Sequence, residues 1–169
     1  RRKVLHLFVA MARRFGVVPG GDGGKGDSER RFFIKVDPDT MPVPHNLIRL
    51  LDELHLILGL TQPYLVGMAA CRVASFPLCH AAGGAGYVLS RAALAELTTY
   101  LGAQYPAFLS RIDKFTYGGE DVAVAFALKK RCGVAVVNAG CMYQHNPLQY
   151  QRLHSKGEDW VKWPLTTTP

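Results

Sequence analysis

Several features that would place the chain in a functional class at once are missing from it. No apolar run reaches about 18 residues, so no segment is predicted to span a membrane. No C-x-x-C pair occurs among the four cysteines, which argues against a zinc ribbon or a thioredoxin motif. A starting Met and a signal peptide are also lacking, and the chain opens inside a helical pattern, so we expect a fragment of a longer protein.

The two common glycine-rich phosphate motifs are missing as well. Residues 19–29 contain five glycines, but Gly24-Lys25-Gly26 lacks the hydroxyl residue that a P-loop supplies. The second glycine-rich segment, residues 83–86, lacks the G-x-G-x-x-G spacing, and a strand rather than a helix is predicted after it. We therefore interpret residues 19–29 as a flexible surface insertion.

The composition present is that of a globular domain with a basic excess. The 169 residues are 49% hydrophobic and 20% charged, and 20 basic against 13 acidic residues give a net charge of +7. A positive charge of this size attracts nucleic acid, an anionic surface or a phosphorylated small molecule. Alternatively, the basic residues form a solvated surface that has no partner. No basic run is interleaved with stacking aromatics, so nucleic acid is not the expected partner.

The four cysteines leave two interpretations open. In an oxidising compartment Cys71, Cys79, Cys132 and Cys141 would form two disulfides, in any of three connectivities. Alternatively, each is a small buried hydrophobic residue.

Apolar periodicity predicts helices that alternate with strands, with no internal repeat. Four helices are predicted: residues 3–15; a helix capped by Asn46 with the apolar stripe Leu47, Leu51, Leu54 and Leu58; residues 91–101, capped by Ser90; and Glu120 to Arg131. Strands are predicted at 31–36, 64–69, 83–89 and 134–138, and a loop is predicted at 102–119. This alternation indicates an α/β layered domain.

Two aspartates directly follow the first predicted strand. Ligand groups in α/β proteins lie outside the carboxyl ends of strands, and Asp37 and Asp39 would suit a divalent ion shared with substrate phosphates. The segment Asp-Pro-Asp-Thr is equally ordinary turn chemistry. The residues themselves leave both interpretations open.

Three further segments are ambiguous in the same way. The glycines of residues 83–86 indicate either a tight corner or a backbone that a ligand approaches closely. Glu120 and Asp121 suit a helix N-terminus electrostatically, and one of them could also act as a general base. His145 and His80 are each a metal ligand or a plain polar residue.

Taken in order, these segments resemble the Fringe-like β-1,3-glycosyltransferases (glycosyltransferase family 31), including the core-1 β-1,3-galactosyltransferases. The resemblance lies in FIKVDPDT at 33–40, GGAGYVLS at 83–90, GEDV at 119–122 and HNP at 145–147. It spans roughly residues 3–153, and the glycine block with its continuation is the most specific part.

The resemblance implies a fold and a domain organisation. We expect a GT-A-like (Rossmann-like) α/β domain, with a mixed sheet flanked by helices, over residues 1–153, and a C-terminal tail over 154–169. The first nucleotide-binding strands of the family precede the helix at 3–15 and are expected to be missing from this chain. Pro38 replaces the middle one of three acids that the family often has, which alters the expected donor geometry.

It also implies an activity: inverting transfer of a hexose or N-acetylhexosamine from a UDP-sugar to a glycan or glycoprotein hydroxyl, with β-1,3 linkage and Mn²⁺. Asp39 would bind the metal directly, Asp37 would lie nearer the ribose or the metal-bound waters, His145 would complete the metal site and Asp121 would be the catalytic base. The residues expected to line the donor and the acceptor are Asp37, Gly83, Gly84, Ala85, Gly86 and Glu120.

Two alternatives to this activity are a non-catalytic chaperone or glycan-binding module of the same fold, and an unrelated metal-dependent hydrolase. Retention of both outer acids argues against the first, and the lack of a further water-activating cluster argues against the second. The resemblance also implies the Golgi or secretory-pathway lumen, with any membrane anchor outside this chain.

Overall fold

Helices and strands alternate along the chain as expected for an α/β domain. The computed structural model describes residues 2–17, 32–59, 61–72, 78–115, 119–142 and 166–167. The helices are α1 Arg2–Arg14, α2 Pro44–Leu58, α3 Arg91–Phe115 and α4 Glu120–Cys132; the strands are β1 Phe32–Lys35, β2 Leu65–Gly67, β3 Ala69–Arg72, β4 Leu78–Ala81, β5 Tyr87–Ser90, β6 Val136–Asn138 and β7 Thr166–Thr167. Residues 19–29, and the predicted tail apart from β7, lie outside the described residues.

The main sheet is mixed and has the strand order β1-β5-β2-β6-β7. Strand β5 is antiparallel to both β1 and β2, whereas β2 and β6 are parallel. It follows that β1, β2 and β6 run in one direction and end at one side of the sheet, which we call the carboxyl edge. The segments that follow these three strands, and the segment that precedes β5, meet at this edge.

Helices cover both faces of the sheet, because successive strand residues point to opposite sides. Leu65, Leu89 and Val136 belong to the larger core cluster, which also contains the buried residues of α1, α3 and α4. Their neighbours on the other face pack with Leu50 and Leu54 of α2. The predicted mixed sheet flanked by helices is therefore confirmed. Burial of each of these aliphatic side chains contributes about 1.5–3 kcal/mol to the stability of the fold.

The predicted start of α2 is wrong, whereas the predicted start of α3 is confirmed. Helix α2 begins at Pro44, and Val43 occupies the cap position without a side-chain hydrogen bond, so Asn46 lies inside the helix. Proline suits the first helical position because its missing N–H would have had no intrahelical partner there. At α3, Ser90 Oγ accepts a hydrogen bond of 3.1 Å from the Ala93 N–H, which is the bond of an N-cap.

Tertiary packing overrides one loop prediction. The loop predicted at 102–119 is wrong over most of its length, because α3 continues to Phe115. Phe108 is buried on this extension and packs against Tyr100 and Phe126, with ring centroids 5.4 and 6.4 Å apart. Burial of this ring stabilises helical turns that the local sequence does not favour.

The hairpin β3-β4 was missed because the predicted strand at 64–69 divides after Gly67. Cys71 and Cys79 are directly opposite in the hairpin register and form a disulfide. Cys132 and Cys141 are free thiols, so one disulfide forms rather than two.

The third predicted strand begins at Tyr87 rather than Gly83, because residues Gly83–Ala85 form a 3₁₀ turn. None of the helices described is long and apolar enough to cross a membrane.

Candidate active site

Residues 37–40 form a closed turn at the carboxyl edge, immediately after β1. The Thr40 N–H donates to the Asp37 carbonyl at 2.9 Å, and the Asp37 N–H donates to Thr40 Oγ1 at 3.1 Å. Pro38 therefore occupies the second position of a four-residue turn, where its fixed φ is favourable. We call this segment the aspartate turn. Asp39 is exposed on it, and the Asp37 side chain is 37% exposed.

The aspartate turn is joined to residues 83–86, which we call the glycine loop. The hydroxyl of Thr40 donates to the Gly84 carbonyl at 3.1 Å. Thr40 was not among the predicted site residues, because a threonine after an Asp-Pro-Asp turn is common turn chemistry. The contact brings together two segments that are more than 40 residues apart in sequence.

Two glycines of this loop leave little room for a side chain. Gly86 has φ of 77°, and a Cβ there would lie 3.0 Å from the Lys35 carbonyl oxygen. A Cβ on Gly83 would lie 3.2 Å from both Asp121 Oδ2 and Glu120 Oε1. The glycines therefore permit both positive φ and the close approach of β1 and α4.

Lys35 lies between the aspartate turn and α4. Its Nζ is 2.7 Å from Asp37 Oδ1 and 2.7 Å from Glu120 Oε1, and it donates to the Gly83 carbonyl at 3.4 Å. Burial alone would lower the pKa of Lys35, but the hydrogen bonds and charges of Asp37 and Glu120 outweigh it and raise that pKa. The side chain is only 9% exposed and carries a positive charge.

Lys35 was not among the predicted site residues, although it lies within the motif at 33–40. The signal that identifies it is strand alternation: Lys35 is two residues after the buried Phe33 and therefore points to the same, helix-covered face of the sheet. A lysine on a core-facing strand position requires partners for its charge. These partners are the acids of the aspartate turn and of α4.

Asp121, the predicted base, is held by backbone groups at the start of α4. Its Oδ2 accepts a hydrogen bond from the Gly83 N–H at 2.9 Å, and its Oδ1 accepts one from the Val122 N–H at 2.8 Å. His80 Nε2 lies 3.8 Å from Oδ2, and a Cβ on Gly119 would overlap Oδ1. Each carboxylate oxygen has a second lone pair. The side chain, 18% exposed, can therefore still accept a proton from a substrate hydroxyl.

Tyr87 places a buried hydroxyl beside this group of acids. The residue is fully buried, lies directly opposite Lys35 in the β1-β5 register, and has Lys35 Nζ 5.6 Å from its ring centroid. Among the described residues its hydroxyl has no hydrogen-bond partner. Burial, together with the negative charges of Glu120, Asp121 and Asp37, raises the pKa of Tyr87 well above its ordinary value.

Two of the three predicted metal ligands, Asp37 and Asp39, lie on the aspartate turn. Asp37 and Asp39 provide hard carboxylate oxygens on one exposed turn, which fits a divalent cation. No group of three or more potential ligands occurs within the described part of the chain. The predicted third ligand, His145, lies outside the described residues. One oxygen of Asp37 is paired with Lys35, which leaves Asp39 as the less encumbered of the two acids.

The structure thus brings together most of the predicted donor and acceptor residues. Asp37 and Glu120 share the ammonium of Lys35, and Gly83 contacts both Lys35 and Asp121. Ala85 is buried in the 3₁₀ turn, and Gly86 adjoins β1. These groups come from three separate chain segments at a single sheet edge, where α/β proteins bind ligands.

A family model described as Fringe-like matches residues 24–158, which is well over half of the chain. No curated protein and no solved structure matches the chain significantly.

Proposed function

The chain belongs to the Fringe-like family, which is glycosyltransferase-related, and we propose that it transfers a sugar from a UDP-sugar to a hydroxyl group with inversion. The transferred sugar is a hexose or an N-acetylhexosamine, the acceptor is a glycan or a glycoprotein, and the linkage formed is β-1,3. The observation that carries the proposal is the meeting of the aspartate turn, the glycine loop and the two acids of α4 at the carboxyl edge. A family match alone would not require these segments to be in contact.

Asp121 is proposed as the general base. Its carboxylate, fixed by the Gly83 and Val122 N–H groups, accepts the proton of the acceptor hydroxyl. The acceptor oxygen forms a bond to the anomeric carbon while the bond from that carbon to the UDP oxygen breaks on the opposite face, which inverts the configuration. General-base assistance of this kind contributes a factor of about 10²–10⁴ in rate.

Asp39 and Asp37 are proposed to hold Mn²⁺, with His145 as a third ligand. A bound divalent cation would neutralise the charge that develops on the departing diphosphate. Mixed oxygen and nitrogen ligation suits Mn²⁺, whereas Mg²⁺ prefers oxygen alone. Residues 83–86, with Asp37 and Glu120, would line the donor and the acceptor.

The proposed location is the lumen of the secretory pathway, at the Golgi. The Cys71–Cys79 disulfide supports an oxidising compartment, because thiols in reducing compartments stay unpaired. This location would also supply nucleotide-sugar donors and glycoprotein acceptors.

Binding of UDP by the full-length protein tests the proposal. We expect UDP to bind with Mn²⁺ present and to bind at least about tenfold more weakly without it or in Asp39→Ala, because loss of one ligand weakens a metal site. Isothermal titration calorimetry measures both. The matched control is Asp52→Ala, which removes an exposed acid from α2 and should leave the affinity unchanged.

Two results would contradict the proposal. One is a folded full-length protein that does not bind UDP with or without metal, which would favour the glycan-binding or chaperone alternative. The other is UDP affinity that is equal in the wild type and in Asp39→Ala, which would remove Asp39 from the site.

A further inference from the structure

We propose that Lys35 is a positioning residue for the transfer reaction: it holds the aspartate turn, the glycine loop and the start of α4 in one arrangement. This inference rests on the proposed function, since it assigns to Lys35 the alignment of the donor-binding turn with the catalytic base. It adds to that function a residue that neither binds the donor nor removes the proton.

The contacts of Lys35 reach all three segments through one atom. Its Nζ lies 2.7 Å from Asp37 Oδ1 in the turn and 2.7 Å from Glu120 Oε1 in α4, and it donates to the Gly83 carbonyl at 3.4 Å. The contacts with Asp37 and Gly83 are hydrogen bonds and the contact with Glu120 is an ion pair, so one ammonium reaches all three segments. The remaining surface of the side chain lies over the Tyr87 ring, with Nζ 5.6 Å from the centroid.

The positive charge of Lys35 offsets the repulsion between two carboxylates. Asp37 and Glu120 are both carboxylates, and their oxygens touch the same nitrogen. Without a cation between them two like charges at this separation would repel each other, and the turn and α4 would move apart. Lys35 is 9% and Glu120 is 21% exposed, so solvent screens their interaction weakly, whereas it screens the interaction with Asp37, which is 37% exposed, more strongly.

Gly83 connects Lys35 to the proposed base. Its carbonyl accepts from the Gly86 N–H at 3.0 Å and from Lys35 at 3.4 Å, and its N–H donates to Asp121 Oδ2 at 2.9 Å, so Gly83 lies between the two side chains. A displacement of Lys35 would therefore change the position of Asp121, through Gly83 and through the neighbouring Glu120. It would also change the position of Asp37, which Lys35 contacts directly.

The consequence is that removing Lys35 should impair two steps that involve different residues. Release of Asp37 should weaken metal-dependent UDP binding, and displacement of Gly83 and Glu120 should slow the chemical step at Asp121. A lysine with a merely structural role would affect stability alone.

The experiment compares Lys35→Met with Lys129→Met in the full-length protein. Both substitutions remove one ammonium, but Lys129 is exposed on α4. For Lys35→Met we expect kcat to fall about tenfold or more and the Kd for UDP with Mn²⁺ to rise several-fold, as for loss of a residue that orients ligands. Lys129→Met should match the wild type, and Lys35→Arg, which keeps the charge, should recover part of both losses.

A second variant keeps the inference testable if Lys35→Met does not fold. Glu120→Gln preserves the shape of the side chain but removes the charge that pairs with Lys35. We expect kcat to fall about tenfold and the Kd for UDP with Mn²⁺ to rise less than in Asp39→Ala, because Lys35 still holds Asp37.

The outcomes separate this inference from the proposed function. If the wild type transfers sugar and the folded Lys35→Met variant has the kcat and Kd of Lys129→Met, whatever its melting temperature, Lys35 is not a positioning residue. Unchanged kcat in Glu120→Gln would contradict the link to α4. If the wild type neither binds UDP nor transfers sugar, the proposed function itself fails.

Discussion

The hydroxyl of Tyr87 is buried beside three carboxylates without a hydrogen-bond partner among the described residues. A buried hydroxyl that has lost its bonds to water costs about 1–3 kcal/mol. We therefore expect Tyr87→Phe, which keeps the ring and removes the hydroxyl, to leave the free energy of unfolding unchanged or to raise it by about 1 kcal/mol. Urea denaturation at pH 7 measures the difference.

The same variant has a predicted pH dependence. In the folded protein the pKa of Tyr87 is raised by burial and by Glu120, Asp121 and Asp37, so the folded state keeps its proton after the unfolded chain has lost it. Ionisation of Tyr87 therefore favours the unfolded chain: it has no effect on stability below about pH 10, the unfolded pKa, and it lowers stability as the pH rises further. Tyr87→Phe should lose less stability than the wild type above pH 10; equal losses, or a clear destabilisation at pH 7, would contradict this account of the hydroxyl.

Lys35 shows why some residues of the site were not predicted from the sequence. The acids could be recognised because pairs of acidic residues after a strand and at a helix start have a recurrent chemistry. Lys35 has no such motif, and its importance appears only when β1 is placed with Phe33 facing the core. The role of Pro38 also appears only in the structure, where it is the second residue of the aspartate turn.

Among the elements, the start of α3 depends most clearly on one side chain. Ser90 Oγ accepts from the N–H groups of Ala93 and Tyr64, each at 3.1 Å, and donates to the Gln62 carbonyl at 3.0 Å. Ser90→Ala leaves two N–H groups without this acceptor. We expect it to lower the free energy of unfolding by about 2 kcal/mol, from the loss of a cap and of a buried hydrogen bond.

Chemical denaturation of Ser90→Ala and of Thr99→Ala tests this prediction. Thr99 is exposed on the same helix, and its replacement should change stability by no more than about 0.5 kcal/mol. A Ser90→Ala variant as stable as Thr99→Ala would show that water replaces the serine without cost.

Element types were predictable where periodicity and end signals agreed. Helices α1 and α4 and strand β1 begin and end within about two residues of their predicted bounds, because their apolar patterns are strong. The extension of α3 and the hairpin β3-β4 were not predictable. Phe108 is buried against Phe126, which is distant in sequence, and Cys71 and Cys79 lie on strands too short to show a pattern.

For the molecule as a whole, strand order decides which segments meet. Insertion of β5 between β1 and β2 places the glycine loop beside the aspartate turn. Helix α4 packs on the same side of the sheet as Tyr87, with its first turn at the glycine loop. This order is a property of the sheet and cannot be read from the spacing of motifs along the chain, although the four motifs themselves identified the family correctly.

The Asp121→Asn variant tests the central claim most directly. Asparagine preserves the size of the side chain but is not a base, so transfer of sugar from a UDP-sugar to an acceptor should fall by a factor of about 10² or more. The affinity for UDP with Mn²⁺ should stay close to that of the wild type, because Asp37 and Asp39 are unchanged. Transfer at the wild-type rate by folded Asp121→Asn would contradict the account.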